Sequence, residues 1–293
     1  MDSLTLLSPA KVNLYLKVIN KRSDGFHNIE TLFERISLFD DIRFKSNDSS
    51  SIRVVCDHRD VPSGRKNLVY QVAEALQNDF GIKAGVDIAI TKRIPVAAGL
   101  GGGSSNAATT LLGLNKIWEL NLSREQLVSY GRRLGSDVAF FLHDCPWALG
   151  TERGDQIQSL DIKTELWHVL VVPCIKMYSR KVYASLRLEP APSDMNMLTK
   201  KESNVSILLR NLQENNISET GRLLSNDLET AIVRLCPRLL TLKEKMKSLG
   251  SPGVIISGSG PCVFSLVSAE KEAKEMHSIL AKRFSRVFMA RTF

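Results

Sequence analysis

One short segment limits what this chain can fold into more than any other part of it. Residues 95–106 carry four glycines within five positions, Gly99–Gly103, followed by two serines. An alternating apolar pattern typical of a strand precedes the segment at 86–90, and an apolar helix pattern begins at Ala107. Glycine lets a bulky ligand approach the main chain, and the unpaired amides at a helix start attract anions. The segment therefore predicts a phosphate-binding loop between a strand and a helix, with a flexible surface turn as the alternative.

The two common nucleotide-binding loops do not fit this segment. A Walker A loop requires Gly-Lys-Ser/Thr after its last glycine, whereas no lysine lies between Arg93 and Lys116. The Gly-x-Gly-x-x-Gly fingerprint of dinucleotide-binding folds has a different spacing, and no acidic residue ends a strand about 20 positions further on. The segment therefore indicates a third class of phosphate loop.

Three further segments narrow this class. Ser8–Leu16 reads SPAKVNLYL, Arg22–His27 reads RSDGFH and Leu134–Phe141 reads LGSDVAFF. Together with the glycine loop, these segments resemble the ordered motifs of the GHMP kinase family. The resemblance extends from Pro9 to a second glycine-rich turn at 257–261, so it covers essentially the whole chain.

The resemblance implies a fold and a domain organisation. The implied class is α/β (α+β), in the two-domain GHMP kinase fold. A ribosomal-S5-like N-terminal domain that binds ATP is expected over residues 1–160, and a ferredoxin-like C-terminal domain over 161–293. The active site is expected in the cleft between the two domains.

Composition is compatible with this interpretation without establishing it. The 293 residues include 39 lysines and arginines against 31 acidic residues, and the net charge of +8 suits anionic ligands. The basic residues are spread along the chain, whereas an RNA-binding surface is expected to cluster them among aromatic residues. We therefore expect a small-molecule substrate and no nucleic-acid partner. A non-enzymatic RNA-binding protein with an S5-like fold is the alternative from a different class.

Cysteine content and hydropathy predict the compartment. The five cysteines are scattered and form no Cys-x-x-Cys pair, so we expect reduced thiols. No apolar run reaches 18 residues, and the first 20 residues lack the pattern of a secretion signal. These features predict a cytoplasmic protein that does not associate with a membrane. The sequence makes no prediction about the oligomeric state.

Periodicity and capping signals predict the remaining elements. Asn67 is expected to cap a helix that stops at Gly81, and Ser123 to open a capping box. The predicted strands are 11–18, 36–44, 52–56, 86–90, 168–172, 254–257, 262–267 and 287–290. The predicted helices are 68–80, 107 to about 118, 123–135, 179–188, 203–214, 217–230, 237–249 and 269–284. We also expect a turn between strands at 147–155 and a surface connection at 195–204.

Asp137 and Lys11 are the candidate catalytic residues. Transfer of a phosphoryl group to an alcohol requires an acceptor for the hydroxyl proton. From the residues alone, Asp137 either caps the next helical turn or acts as a carboxylate held against apolar walls. The resemblance implies the second role. It also implies that Lys11, which shares a strand face with Asn13, polarises the substrate hydroxyl.

The resemblance assigns substrate binding to Asn13, Phe26 and His27. In the relatives that share these motifs, the aromatic residue stacks on a cytosine ring and the histidine contacts its polar edge. Most of those relatives carry tyrosine in place of Phe26 and proline in place of Ala139. The first difference keeps the stacking face and removes one hydrogen bond, worth about 0.5–1.5 kcal/mol.

The implied cofactors are ATP and Mg²⁺. Asn67 and Leu68 are expected to hold the adenine, and Ser104 and Ser105 are candidate contacts for Mg²⁺ or phosphate. The protein ligands of the metal are left open, since Mg²⁺ usually keeps several waters. The predicted phosphate site consists of consecutive loop residues: Val96, Ala97, Ala98, Gly99, Leu100, Gly101, Gly102, Gly103, Ser104, Ser105 and Asn106.

The implied activity follows from these residues. It is ATP-dependent phosphorylation of the 2-hydroxyl of a methylerythritol that bears a cytidine diphosphate, a step of the non-mevalonate isoprenoid pathway. A GHMP kinase of the homoserine or mevalonate type is the alternative within the family. Those kinases have a different N-terminal motif and lack the Gly-Phe-His segment, so the first 35 residues favour the cytidine-bearing substrate.

Overall fold

The computed structural model describes residues 3–187 and 203–293, which form two sheets and the helices that cover them. The first half contributes six strands and four helices to this described part. The strands are β1 (Ser3–Lys21), β2 (His27–Asn47), β3 (Ile52–Cys56), β4 (Gly85–Thr91), β5 (Trp147–Thr151) and β6 (Gln156–Leu160). The helices are α1 (Leu68–Asp79), α2 (Gly102–Ile117), α3 (Arg124–Leu134) and α4 (Val138–Leu142).

The second half contributes the remaining elements. Its strands are β7 (Trp167–Val171), β8 (Ser225–Asn226), β9 (Gly253–Ile256), β10 (Val263–Val267) and β11 (Val287–Arg291). Its helices are α5 (Ser179–Ala184), α6 (Asn204–Gln213), α7 (Ile217–Arg222), α8 (Glu229–Leu235), α9 (Arg238–Lys247) and α10 (Glu270–Ala281). None of the helices in the described ranges is long and apolar enough to cross a membrane.

Sheet topology links the two halves. In the first sheet the order is β3-β4-β2-β1-β8. In addition, β5 pairs with β2 on one side and with β6 on the other. β8 comes from the second half but runs parallel to β1 through Tyr15 and Leu16. The second sheet has the antiparallel order β11-β7-β10-β9. The predicted strands 254–257 and 262–267 are therefore confirmed as β9 and β10, which pair across the 257–261 turn.

Local signals placed several helices correctly. The Asn67 side chain accepts a hydrogen bond from the Val69 amide at the start of α1. Ser123 and Gln126 form the predicted capping box at the start of α3. In both cases a side-chain oxygen satisfies an amide that the first helical turn leaves unpaired, which fixes where the helix begins.

The prediction of a turn over 147–155 was wrong in its first half. Residues 147–151 form β5, which pairs with both β2 and β6, and the chain turns only after it. Gly150, which suggested a turn, is required within the strand, since a Cβ there would lie 2.6 Å from the Phe33 ring. A glycine in a strand can mark close packing as well as a turn.

The prediction of one helix over 217–230 was also wrong. The chain forms α7, then β8, then α8. Asn226 interrupts the helix, because its side-chain amide donates to the carbonyls of Ile256 and Gly258 while its oxygen accepts from the Leu228 amide. Tertiary hydrogen bonds thus override a helical pattern that local sequence supports.

The region around 188–202 bears on two other predictions. The helix predicted over 179–188 is observed as α5, which ends at Ala184. Its predicted last residue, and residues 195–202 of the predicted surface connection, lie outside the described residues.

Candidate active site

A cleft of about 1180 Å³ lies where the glycine loop, β1 and the segments around Tyr183 and Gly258 meet. It brings together the predicted catalytic and substrate residues from three separate segments of the first half. Of the predicted site, the following residues line it: Lys11, Asn13, Phe26, His27, Asn67, Leu68, Val96, Ala97, Ala98, Gly99, Leu100, Gly101, Gly102, Gly103, Ser104, Asn106 and Asp137. Ser105 alone of the predicted set is not among the described lining residues.

The predicted catalytic pair is formed. The Lys11 ammonium nitrogen lies 3.3 Å from Asp137 Oδ2, with the lysine side chain 5% exposed and the aspartate side chain 31% exposed. Asp137 precedes α4, yet within the described structure its carboxylate makes no capping hydrogen bond to that helix. Capping, one of the two roles that the residues alone allowed for Asp137, is therefore not observed. Its carboxylate faces Lys11 and the cleft instead.

A chain of hydrogen bonds fixes the orientation of Lys11. Its ammonium donates to Asn13 Oδ1 at 2.6 Å, and the Asn13 amide nitrogen donates to Thr31 Oγ1 at 2.8 Å. The Thr31 hydroxyl in turn donates to the Tyr15 carbonyl at 2.7 Å. The ammonium also lies 5.5 Å from the centre of the Phe33 ring. Because these partners are buried, the lysine is held in one orientation toward the cleft.

The glycine loop requires its glycines. Gly99 and Gly101 both have positive φ, at +80° and +69°. A Cβ at Gly99 would lie 2.1 Å from the Ser257 carbonyl oxygen, and one at Gly101 would lie 2.9 Å from Lys11 Cγ. No described side chain caps α2, which begins at Gly102. The open helix start, at the positive end of the helix dipole, therefore faces the cleft as a site for anions.

The second glycine-rich turn, 257–261, supports the loop from the other half of the chain. The Ser257 hydroxyl donates to the Gly99 carbonyl at 2.9 Å, and the Cys262 amide donates to the Ala98 carbonyl at 3.1 Å. Gly258 lies against two of the predicted site residues, since a Cβ there would be 3.1 Å from Asn13 Oδ1 and 3.3 Å from the Lys11 ammonium. The turn thus brings backbone close to the predicted phosphate loop.

The two predicted serines differ in position. Ser104 lines the cleft. Ser105 is fully buried, and its hydroxyl forms a 2.8 Å hydrogen bond with the Ser8 hydroxyl. Its side chain therefore joins α2 to β1, which leaves the Ser104 hydroxyl as the better placed of the two to contact a ligand.

Aromatic side chains also line the cleft. The His27 ring stacks on Tyr183 with centroids 5.1 Å apart, and the Phe26 ring, in a residue that is 52% exposed, lies 5.3 Å from the Arg153 guanidinium. Burial, with a smaller contribution from Lys21, lowers the pKa of His27 below its usual value, so the imidazole is neutral at pH 7. Burial and the nearby Asp137 charge raise the pKa of Tyr183, which keeps its hydroxyl protonated.

Sequence reasoning missed Tyr183. The residue lies in α5, in the second half of the chain, and an aromatic residue at helical spacing is ordinarily part of a core. Only the fold shows that its ring stacks on His27 in the lining of the cleft.

The charge of the cleft favours an anionic ligand. Basic side chains outnumber acidic ones among the described lining residues, which fits the polarity of the helix start. The basic residues are Lys11, Lys21, Lys66, Lys92, Arg153 and Arg180, and the acidic residues are Asp24, Asp60 and Asp137.

Family models match both halves of the chain. The model for the GHMP kinases N terminal domain matches residues 67–144, and that for the GHMP kinases C terminal domain matches residues 208–286. The chain therefore belongs to the GHMP kinase family, and the predicted fold class is confirmed. Known proteins show where in this family the chain lies.

The chain is similar to proteins named 4-diphosphocytidyl-2-C-methyl-D-erythritol kinase. It is 41% identical to that kinase of Geobacter metallireducens, over 94% of this chain and 92% of the relative. A solved structure of 4-(cytidine 5'-diphospho)-2C-methyl-D-erythritol kinase matches with a TM-score of 0.79 and 31% identity, over 98% of each chain. The homoserine kinase of Cytophaga hutchinsonii matches with a TM-score of 0.76 at 21% identity, over 100% of this chain and 95% of that one, which shows a shared fold.

Proposed function

We propose that this chain transfers the γ-phosphoryl group of ATP to the 2-hydroxyl of 4-diphosphocytidyl-2-C-methyl-D-erythritol. The observation that supports this most is the position of the Lys11–Asp137 pair. The pair lies in one cleft with an open, glycine-lined helix start, whose Gly101 lies against Lys11, and with the aromatic residues Phe26, His27 and Tyr183. Such a cleft offers groups that suit phosphates, an alcohol and a base.

The proposed chemistry is a direct transfer. The substrate hydroxyl lies between the two catalytic side chains, donates its proton to Asp137 and forms a bond from its oxygen to the γ-phosphorus as the bond to the β-phosphate oxygen breaks. Within the described structure, no capping bond to α4 occupies the Asp137 carboxylate, so it can accept that proton. The Lys11 ammonium, fixed by Asn13, stabilises the charge that develops on the attacking oxygen.

The phosphates are proposed to lie at the start of α2, with the adenine toward Asn67 and Leu68. Mg²⁺ is part of this proposal. The described residues contain no group of three or more His, Cys, Asp or Glu side chains that could hold a metal, which is compatible with an ion held by ATP phosphates, water and the Ser104 hydroxyl. When bound, the ion supplies positive charge that neutralises the phosphates.

The cytosine is proposed to bind at the aromatic residues of the cleft. Phe26 offers a stacking face, and the neutral imidazole of His27 offers one donor and one acceptor to the polar edge of the base. The five cysteines, all unpaired in the structure, favour a reducing compartment, and we place the reaction in the cytoplasm. The RNA-binding alternative gives no task to the Lys11–Asp137 pair or to the glycine loop.

Coupled measurement of ADP release tests the proposed function. The purified protein with ATP and Mg²⁺ is assayed against 4-diphosphocytidyl-2-C-methyl-D-erythritol, methylerythritol without the cytidine diphosphate, homoserine and mevalonate. We expect turnover with the first compound and at least ~100-fold lower kcat/KM with the others, because the base and diphosphate supply most of the binding energy that positions the hydroxyl. Preferred turnover of homoserine or mevalonate would contradict the proposed substrate.

A further inference from the structure

A buried carboxylate lies behind the glycine loop and takes no part in the chemistry proposed above. Asp40, in β2, is fully buried. Its Oδ1 accepts from the backbone amides of Arg93 and Ile94, both at 2.8 Å. Its Oδ2 accepts from the Lys92 ammonium at 2.7 Å and from the Asn106 side-chain amide at 2.9 Å. These four donors, all from the described residues, fill the acceptor sites of a carboxylate.

The donors belong to both ends of the loop. Residues 92–94 lead out of β4 into the glycine segment, whereas Asn106 lies in α2, which the segment opens. Asn106 also donates to the Ser8 hydroxyl at 2.9 Å. One carboxylate therefore fixes the start of the loop and the helix after it at the same point of β2. The amides at the start of α2 keep their positions relative to the cleft because both flanks of the loop are anchored.

Asp40 also determines where the charge of Lys92 lies. The lysine side chain is 4% exposed, and its ammonium donates to the Asp40 carboxylate and to the Ile94 carbonyl. A Cβ at Gly102 would come within 3.0 Å of that ammonium, so the charge lies beside the first residue of α2. Burial lowers the pKa of Lys92, and the Asp40 charge opposes that change. Lys92 lines the cleft, whereas Asp40 is not among the described lining residues, so the pair presents its positive end to the ligand.

We infer that Asp40 is a positioning residue for ATP: its carboxylate holds the Lys92 ammonium and both flanks of the glycine loop in the arrangement that receives the phosphates. This inference rests on the proposed function in so far as it takes ATP as the ligand of the loop. It does not depend on which alcohol is phosphorylated.

The variant Asp40→Asn tests the inference. Its amide keeps the size of the carboxylate and can still accept from the two backbone amides, but its NH₂ group would face two donors, Lys92 and Asn106. We expect the Kd of the non-hydrolysable analogue AMP-PNP to rise at least tenfold and the Kd of CDP to stay within twofold, both by titration calorimetry. The matched control is Glu34→Gln, at another fully buried carboxylate of β2, which bonds His168 and Thr292 away from the described cleft lining. It should lower the melting temperature and change neither Kd by more than twofold.

A second variant covers the case in which Asp40→Asn does not fold because it leaves a buried ammonium unpaired. Asp40→Asn combined with Lys92→Met removes both charges, and we expect the same selective loss of AMP-PNP affinity. An AMP-PNP Kd within twofold of the wild-type value in either folded variant would overturn the inference. Equal weakening of AMP-PNP and CDP, or failure of both variants to fold, would assign Asp40 to folding alone and would overturn it as well. A wild-type protein that binds AMP-PNP but phosphorylates a different alcohol would refute the proposed substrate and leave the Asp40 result valid.

Discussion

Lys11 shows how the surroundings of a residue change the role that its place in the sequence indicates. On a strand with alternating side chains, a lysine ordinarily lies on a solvated face. Here both faces of β1 are covered near its centre, and Lys11 is 4% and Asn13 2% exposed. A buried ammonium requires partners, and it has them in Asn13 and Asp137. The sequence predicted that Lys11 and Asn13 share a face, but the burial depends on elements that pack over β1 from both halves of the chain.

The first prediction concerns the catalytic pair. Asp137→Asn keeps the size of the side chain but cannot accept the hydroxyl proton, so kcat should fall by roughly 10²–10⁴. The AMP-PNP Kd should stay within a few-fold. Lys11→Ala should lower kcat comparably, and the double variant should be far from additive, since both residues act on one transfer step. Steady-state kinetics of the folded variants check this. Normal turnover by Asp137→Asn would mean that another group accepts the proton.

The second prediction concerns the pH dependence of base binding. The pKa of His27 lies below its usual 6.5, so the imidazole stays neutral above that pH and gains a proton only as the pH falls further. Affinity for cytidine, which carries no titrating phosphate, should be constant from pH 8 to about 6.5 and weaken at lower pH as the acceptor nitrogen is lost. Equilibrium titrations of wild type and His27→Asn check this, and the variant should bind more weakly without the pH dependence. An identical decline in both proteins would remove His27 from base recognition.

At the scale of an element, the first turn of α2 combines helix packing with the proposed phosphate site. Glycine is a poor helix former, yet the helix opens with Gly102 and Gly103. Gly102 has a packing reason, since a Cβ there would lie 3.0 Å from Ile94 and from the Lys92 ammonium. Gly103 has none in the described structure, because a Cβ there would meet nothing within 4 Å. Its position on the cleft suggests that the open space belongs to a ligand.

The third prediction follows from this contrast. Gly103→Ala should raise the free energy of unfolding by about 0.5–1 kcal/mol, the usual gain of alanine over glycine in a helix. It should at the same time weaken AMP-PNP binding by ~10-fold, about 1.4 kcal/mol, because the methyl group would occupy the space in which the phosphates are proposed to bind. Urea denaturation and calorimetry check the two effects, with CDP affinity as the internal control. Increased stability with unchanged AMP-PNP affinity would place the phosphates elsewhere.

The elements also show what local sequence can predict. The helix starts at Asn67 and Ser123 were predictable because their signals lie within four residues of the amides that they cap. The interruption of the helix at Asn226 was not predictable, since its partners lie at residues 256 and 258. The position of Tyr183 was not predictable either, because it contacts His27 from the other half of the chain. The burial of the Ser105 hydroxyl was not predictable for the same reason, because its partner Ser8 is 97 residues away. A motif carried by one continuous loop can be recognised from the sequence, whereas contacts between distant segments of the fold cannot.

At the scale of the molecule, the two halves share a core. One buried cluster includes Ala10, Val12 and Leu32 from the first sheet together with Leu170 and Phe264 from the second. At the same interface His168 and Glu34, both fully buried, form a 2.9 Å hydrogen bond, and the Thr292 hydroxyl donates to the other Glu34 oxygen at 2.6 Å. The second glycine-rich turn hydrogen-bonds to the glycine loop, and β8 pairs with β1 at the edge of the first sheet. The expected boundary at residue 160 therefore separates two units that share buried contacts.

The fourth prediction tests this dependence. A fragment of residues 1–160 expressed alone should lack cooperative thermal unfolding, because it exposes the shared cluster and leaves Glu34 without its buried partners. Circular dichroism during heating, with the full chain as the reference, checks this. A cooperative transition in the fragment within a few degrees of that of the full chain would show that the first half folds independently.

The most direct test of the account is the identity of the product. The protein is incubated with ATP, Mg²⁺ and 4-diphosphocytidyl-2-C-methyl-D-erythritol, and the mixture is followed by ³¹P NMR with Asp137→Asn as the blank. We expect one new phosphomonoester signal that grows with ADP in equal amounts and is absent over the same period from the blank. The signal should show no coupling to a carbon-bound proton, because the 2-carbon bears none. A phosphomonoester on another hydroxyl, ADP without a new signal, or equal product in the blank would contradict the account.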